Sequence, residues 1–120
     1  MLLDRDAILS AEPTLPHVDV EVPEWGGTIR LRSMTAGERD RWEADQLASP
    51  NADVRARLVA ACACDDSGAP LFAKADVARL SAQSARVMGR LFDAALALNR
   101  ISGEDVDALE KNSSNGHSAG

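Results

Sequence analysis

The chain has 120 residues, 45% hydrophobic and 27% charged, which suits one small globular domain with a modest core. Its formal net charge of -6 argues against nucleic acid and anionic membranes as partners, because both bind clustered Lys and Arg. No signal pattern and no apolar run of membrane-spanning length is present, so we expect a protein of the cytoplasm.

The first third of the chain predicts a short helix followed by a β-hairpin. Residues 2–11 have helical apolar spacing, and Pro13 and Pro16 then favour an extended connector. Residues 17–33 alternate between apolar and polar side chains, as strands do. Because a lone hairpin is marginally stable in water, its apolar face must rest on helices or on another subunit.

The Gly26-Gly27 pair predicts a two-residue type I′ turn, in which both positions need positive φ. That turn places Val22 opposite Leu31 and Glu21 opposite Arg32. The first pair would pack on the apolar face and the second would form a cross-strand ion pair.

The rest of the chain predicts helices. Thr35 and Glu38 form a capping-box pattern at the start of the first of them. The expected helices span about 36–48, 52–64, 75–80, 82–99 and 103–111. The predicted fold is α+β, mainly α: an N-terminal hairpin packed on a small bundle of about four to five helices. We expect residues 1–111 to form one globular domain and residues 112–120 to form a disordered polar tail.

The residues that could support chemistry are isolated from one another. Neither His17 nor His117 has a plausible nucleophile or carboxylate constellation in sequence. The Asp65-Asp66 pair lacks the ligand alternation of a calcium loop and indicates a solvated turn. Cys62 and Cys64, two apart on a predicted helix, indicate reduced apolar thiols. We therefore expect no catalytic residue, cofactor or metal, and a binding, assembly or structural protein.

Four side chains are candidates for partner binding. Trp25 lies beside the Gly-Gly turn, where burial within the chain is difficult. Trp42 lies on an amphipathic helix, where a tryptophan is more often part of the core. Arg30 and Arg32 lie on the polar face of the second predicted strand.

An ordered set of segments resembles the tail assembly chaperones of long-tailed bacteriophages and related prophages. The set begins with VEVPEWGGTIRLR at residues 20–32 and MTAGERD at residues 34–40. It continues with CDDSGAPLF at residues 64–72 and RLFDAA at residues 90–95. The likeness covers most of residues 1–112.

The resemblance implies a function without an active site. Such chaperones coat the long helical tape measure protein, keep it soluble in the host cytoplasm, help recruit tail tube subunits and are absent from the finished virion. Many are also made as a longer product by programmed ribosomal slippage, and the extension is thought to contact the tube protein. Shielding a long filament with a small protein also favours self-association of many copies.

Glu110-Lys111-Asn112 fits such a slippage site, because the codons GAA-AAA-AAC contain a slippery run of adenines. Lys is otherwise present only at Lys74. The alternative is an ordinary helix end, where Lys favours the C-terminal dipole and Asn terminates the helix.

Two surfaces are candidates for partner contacts: the edges of the hairpin and a groove between helices that accepts a partner helix. Two alternative functions are open. One is a minor structural or completion subunit of a phage tail or head, and the other is a small acidic regulatory adaptor.

Overall fold

The structure is a computed structural model that describes residues 1–101. The predicted helix 103–111, the tail 112–120 and the Glu110–Asn112 segment lie outside the described residues. The strands are β1 (His17–Val22), β2 (Gly27–Arg32) and β3 (Ala63–Cys64). The helices are α1 (Arg5–Leu9), α2 (Ala36–Ala48), α3 (Val54–Cys62), α4 (Val77–Ser81) and α5 (Ala85–Leu98). Short 3-10 turns span Pro23–Trp25 and Lys74–Asp76.

The hairpin forms over the predicted residues, but its predicted register is wrong by four positions. Val22 pairs with Gly27, and Leu31 pairs with Val18. Because four is an even number, the same side chains still share one face. Val22 and Leu31 are both fully buried on that face, although they are not opposite each other.

The register differs because the turn is longer than a Gly-Gly loop. Pro23 begins a 3-10 turn that ends at Gly26, whose φ of 74° lies in the left-handed region. Gly27 is already in β2, so only one of the two glycines needs positive φ. Pro23 favours this turn because its ring fixes φ and it has no N–H to donate to a strand partner.

A third strand covers the far edge of the hairpin. The helix predicted over 52–64 ends at Cys62, and Ala63 and Cys64 pair antiparallel with Leu31 and Arg30 of β2. The sheet order is therefore β1-β2-β3. A segment of two residues has no periodicity of its own, and here pairing with β2 overrides local helix propensity.

The other helices agree with the predictions apart from their ends. Helix α2 has the predicted bounds, and its capping box has Thr35 Oγ1 accepting from the Glu38 amide at 3.2 Å. Helix α5 begins at Ala85 rather than near residue 82, with Ser84 as its N-cap. Helix α1 is shorter than predicted and begins after the N-cap Asp4.

The core lies between the sheet and helices α3 and α5. Helix α5 contacts β1, β2 and α3, and contributes buried side chains at a helical spacing. The largest fully buried side chains are Leu31, Leu58, Leu91, Gln46, Val22, Val59, Val87 and Cys62. The α+β, mainly α, fold of a hairpin packed on helices is confirmed. This packing holds α2, α3 and α4 around a groove on the outer surface.

Candidate partner-binding groove

The groove is bordered by α2, α3, the Lys74–Asp76 turn and α4, and has a volume of about 660 Å³. Its apolar surface comes from Trp42, Ala60, Ala61, Phe72, Val77 and Ala78. Alanines keep this surface shallow and smooth, while Phe72, which is half-buried, supplies most of the accessible aromatic area. Such a surface can take the apolar face of an amphipathic helix, which is a recurring mode of peptide recognition.

The rim of the groove has two arginines without a carboxylate partner among residues 1–101. Of the nearby carboxylates, Asp45 is paired with Lys74, whose Nζ lies 3.1 Å from Asp45 Oδ1, whereas Asp53 Oδ1 accepts only from the neutral Ser81 hydroxyl, at 2.6 Å. Arg57 donates only to the carbonyl oxygens of Asp45 and Ser49, at 3.2 and 2.9 Å. Arg41 is exposed on α2. The charges without an ionic partner at the rim are therefore those of Arg41, Arg57 and Asp53, which leave a balance of one positive charge.

Trp42 lies at the inner wall of this groove rather than on an open surface. Its side chain is 4% exposed, and its indole Nε1 has no hydrogen-bond partner in the described part of the chain. The Arg39 guanidinium lies 5.9 Å from the ring centroid, close enough for a cation–π contact. Any contact between Trp42 and a partner is therefore limited to its edge facing the groove.

Trp25 lies at the tip of the hairpin, far along the chain from the groove residues. It is 38% exposed in the 3-10 turn. The neighbouring Glu24 forms a two-pronged ion pair with Arg90 of α5, with N–O distances of 2.9 and 2.8 Å. Arg90 holds the pKa of Glu24 at about 2. The tip is thus held on α5, with Trp25 available to a partner.

Arg30 and Arg32 are both occupied by ion pairs within the chain. Arg30 pairs with Asp19 across the hairpin at 2.7 and 3.0 Å, and this contact lowers the pKa of Asp19. Arg32 is 8% exposed and pairs with Glu38 of α2, so the predicted pairing with Glu21 is wrong. The shifted register places Glu21 opposite Thr28 instead.

One edge of the hairpin is open and the other is covered. Strand β3 occupies the outer edge of β2, and β3 in turn forms a bridge through Cys64 to Pro70. The edge of β1 carries no strand partner among the described residues. Pro16 O accepts from Ser33 N at 2.9 Å, so the hydrogen-bonded positions of β1 are every second residue counted from Pro16. The backbone N–H and C=O groups of the residues between them, His17, Asp19 and Glu21, therefore point away from β2 towards the open edge.

The two cysteines are free and buried. Cys62 ends α3, whereas Cys64 lies in β3 and not on the predicted helix. Burial raises the pKa of the Cys62 thiol to about 11, although Asn99 Nδ2 lies 3.3 Å from its sulfur. Burial also raises the pKa of Cys64. Both thiols are thus protonated at neutral pH and poorly reactive.

The Asp65-Asp66 segment is a turn, as predicted. Asp65 Oδ1 accepts from the Ser67 hydroxyl at 2.6 Å and from the Ser67 and Ala69 amides at 2.8 and 3.0 Å, and the hydroxyl, followed by the amides, lowers the pKa of Asp65. Residues 1–101 contain no group of three or more side chains suited to a metal ion. Among the same residues, no helix has the length and apolarity needed to cross a membrane.

The sequence indicates a partner groove between helices and, separately, Trp42 as a candidate for partner binding, but it does not indicate that Trp42 lines the groove. Phe72, Lys74 and Ala78 line it together with residues of α2 and α3 that are distant along the chain. The spacing of Arg41 and Arg57 indicates only solvated helix faces, and no local signal places them on one rim.

Comparison with known proteins identifies the family. A family model described as phage tail assembly chaperone matches residues 4–113. The solved structure of the bacteriophage HK97 tail assembly chaperone is 25% identical, with a TM-score of 0.59, over 78% of this chain and 90% of that one. No curated protein matches the sequence. Because the family model spans nearly the whole chain, this protein belongs to the phage tail assembly chaperone family.

Proposed function

We propose that this chaperone binds the phage tape measure protein through the groove and keeps it soluble until the tail tube forms around it. The groove between α2, α3 and α4 is the observation that carries the proposal. A tape measure is a long amphipathic helical chain, and the apolar surface, with Arg41 and Arg57 lacking carboxylate partners among residues 1–101, fits a helix with an apolar face and acidic flanks.

Weak binding at each copy suits a chaperone that must leave. The exposed apolar surface of the groove is made largely of alanine, so each contact buries little area. Many copies along one tape measure then supply avidity without tight individual contacts. In this proposal the chaperone acts in the host cytoplasm, associates with further copies of itself and is absent from the finished virion.

Coexpression with the tape measure protein tests the groove. Ala78 is exposed on α4 and lines the groove, so Ala78→Glu adds a charge there at little cost to folding. Ala85→Glu is the matched control, because Ala85 is also exposed, in the first turn of α5, and lies outside the groove lining. We expect the control to keep the tape measure soluble and Ala78→Glu to lose this ability. Equal solubility with both variants would contradict a role for the groove.

Recruitment of the tail tube protein is proposed for a longer form of the chain. Slippage at the codons of Glu110-Lys111-Asn112 would generate that form, and the helix-end reading of these residues would not. Sequencing the gene through these codons and into the next reading frame separates the two. A slippery adenine run with an overlapping frame supports the longer form, and codons without such a run rule out slippage here.

Proteomics of purified virions separates the chaperone from a structural subunit. A chaperone is present in assembly intermediates and missing from finished particles, whereas a completion subunit remains at a fixed copy number. Salt titration addresses the acidic adaptor, because binding through net charge would collapse as ionic strength rises. We expect tape measure binding to persist at high salt, since its main contacts are apolar.

A further inference from the structure

The N-terminal arm, residues 1–14, is exposed at every position. It contains a concentration of large apolar side chains that nothing within the described chain covers. They are Met1, Leu2, Leu3, Ile8 and Leu9, with Leu2 99% and Leu9 68% exposed. Exposed apolar groups scattered singly are normal on proteins, but a contiguous set marks an interaction surface.

The arm has a defined local structure that prepares this apolar set for binding. Asp4 Oδ1 caps α1 by accepting from the Ala7 amide at 2.8 Å, and Ser10 Oγ donates to the carbonyl of Asp6 at 2.7 Å. A helix of five residues is too short to be stable alone, so its stability must come from packing. None of its residues is buried within its own chain.

The groove complements the arm in polarity and in charge. Its apolar surface offers cover for Ile8 and Leu9, and its rim carries Arg41 and Arg57, which have no carboxylate partner among residues 1–101. The arm has three acidic residues, Asp4, Asp6 and Glu12, against the single base Arg5, which already pairs with Asp6 at 2.9 Å. An acidic apolar segment is thus available to an apolar groove whose charges without an ionic partner are Arg41, Arg57 and Asp53, one positive charge in excess.

The connector gives the arm reach away from its own body. Pro16 is fixed beside Ser33 at the start of the sheet, and residues 11–16 have no regular structure. Six extended residues span about 20 Å, enough to carry α1 onto a neighbouring molecule. In the single chain the arm lies free of the groove, with all of its residues exposed.

We propose that the N-terminal arm of one copy docks its apolar face in the groove of a second copy. Only the displacement of the arm by a tape measure helix rests on the proposed function, since it requires the groove to be the tape measure site. Reciprocal exchange gives a closed dimer, and one-way exchange gives a ring or filament. The open β1 edge is the less suitable contact, since Asp19 and Glu21 protect it in the way that charges protect natural sheet edges.

Sedimentation of the full chain over a range of concentrations tests the arm. Ile8→Ser combined with Leu9→Ser removes two exposed apolar side chains, so we expect folding to be unaffected, which circular dichroism checks. We expect self-association to weaken by about tenfold or more, and Ala78→Glu to have the same effect. Leu71→Ser is the control, because Leu71 is 46% exposed on the body and lies outside the groove lining. Unchanged association of the arm and groove variants would overturn the proposal.

Disulfide trapping identifies the occupant. A chain with Leu9→Cys is mixed with a differently tagged chain carrying Ala78→Cys, and the two native thiols stay silent because they are buried. We expect a cross-linked heterodimer, and none when Ala85→Cys replaces Ala78→Cys. A chain carrying both Leu9→Cys and Ala78→Cys that closes on itself at high dilution, with no heterodimer in the mixture, would overturn exchange between copies.

The two proposals fail in different ways. If the arm variant associates normally while Ala78→Glu still abolishes tape measure binding, arm exchange is wrong and the proposed function stands. If Ala78→Glu weakens self-association and leaves tape measure binding intact, the arm site stands and the tape measure binds elsewhere.

Discussion

Arg32 and Glu38 form a two-pronged ion pair that fastens the end of β2 to the first turn of α2. The N–O distances are 2.8 and 2.9 Å, with the Arg32 side chain 9% exposed and that of Glu38 22% exposed. Glu38 also accepts from the Thr35 amide at 2.8 Å, which completes the capping box. Arg32 reaches the opposite side as well, donating from Nε to the carbonyl of Gly68 at 2.8 Å. One pair therefore joins the hairpin, the helix that borders the groove and the Asp65–Pro70 turn.

Removing the charge of Glu38 tests how much this ion pair contributes to stability. Glu38→Gln keeps the capping geometry but leaves the Arg32 guanidinium partly buried without its counter-charge. We expect the free energy of unfolding at neutral pH to fall by about 2–3 kcal/mol. Chemical denaturation of both proteins measures the difference.

The same pair predicts a specific acid dependence. Arg32 holds the pKa of Glu38 at about 2, below its ordinary value of 4.5. The stabilisation is therefore complete above pH 4.5 and is lost as pH falls towards about 2. The difference in stability between the native chain and Glu38→Gln should shrink across this window. A difference that stays constant through the window would contradict the assignment.

Glu24→Gln is the exposed counterpart of this test. Glu24 forms an equally short ion pair with Arg90, but both side chains are more than a third exposed. Water screens such a pair, so we expect a much smaller loss of stability than Glu38→Gln produces. A larger loss would mean that the Glu24–Arg90 pair contributes more to the free energy of unfolding than the partly buried Arg32–Glu38 pair, and would contradict this expectation.

Replacing Gln46 with an apolar residue is expected to preserve or raise stability, because its buried amide lacks the hydrogen bonds that usually offset the cost of burying polar atoms. The side chain is fully buried, and neither amide atom has a hydrogen-bond partner among residues 1–101. Gln46→Met keeps the length and removes the polar groups, so we expect the free energy of unfolding to stay unchanged or to rise by about 1 kcal/mol. Thermal unfolding measures it. A fall of about 2 kcal/mol or more would show that the amide has a partner.

The hairpin glycines predict effects of opposite sign. Gly26 has φ of 74°, so Gly26→Ala should cost about 1 kcal/mol. Gly27 is extended with open space around the position of a Cβ, so Gly27→Ala should be neutral or stabilise by about 0.5 kcal/mol. The comparison needs only urea denaturation of the two variants. Equal destabilisation by both substitutions would indicate that both glycines adopt positive φ, as in a two-residue type I′ turn.

Strong local signals made much of the fold predictable. The Thr35 and Glu38 capping box fixed the start of α2, and the alternation of valines fixed the strands of the hairpin. The register was not predictable in the same way. The Gly26-Gly27 pair resembles a type I′ turn, but Pro23 begins a longer turn and only Gly26 adopts positive φ.

The remaining differences come from contacts between distant parts of the chain. Ala63 and Cys64 continue a helical pattern in sequence and become a strand only because Arg30 and Leu31 offer a free edge. The groove is a similar case, since Phe72 meets α2 and α3 only after the chain has folded back. The residue spacing within a single segment therefore could not predict either the third strand or the groove.

Hydrogen exchange on the complex of this chain with its tape measure protein tests the central claim most directly. The measurement compares amide protection in the free chaperone and in the complex. The account predicts new protection along α2, α3 and α4 where they border the groove, with β1 unchanged. Protection confined to β1 or to the hairpin tip at Trp25, with the groove amides unaffected, would contradict it.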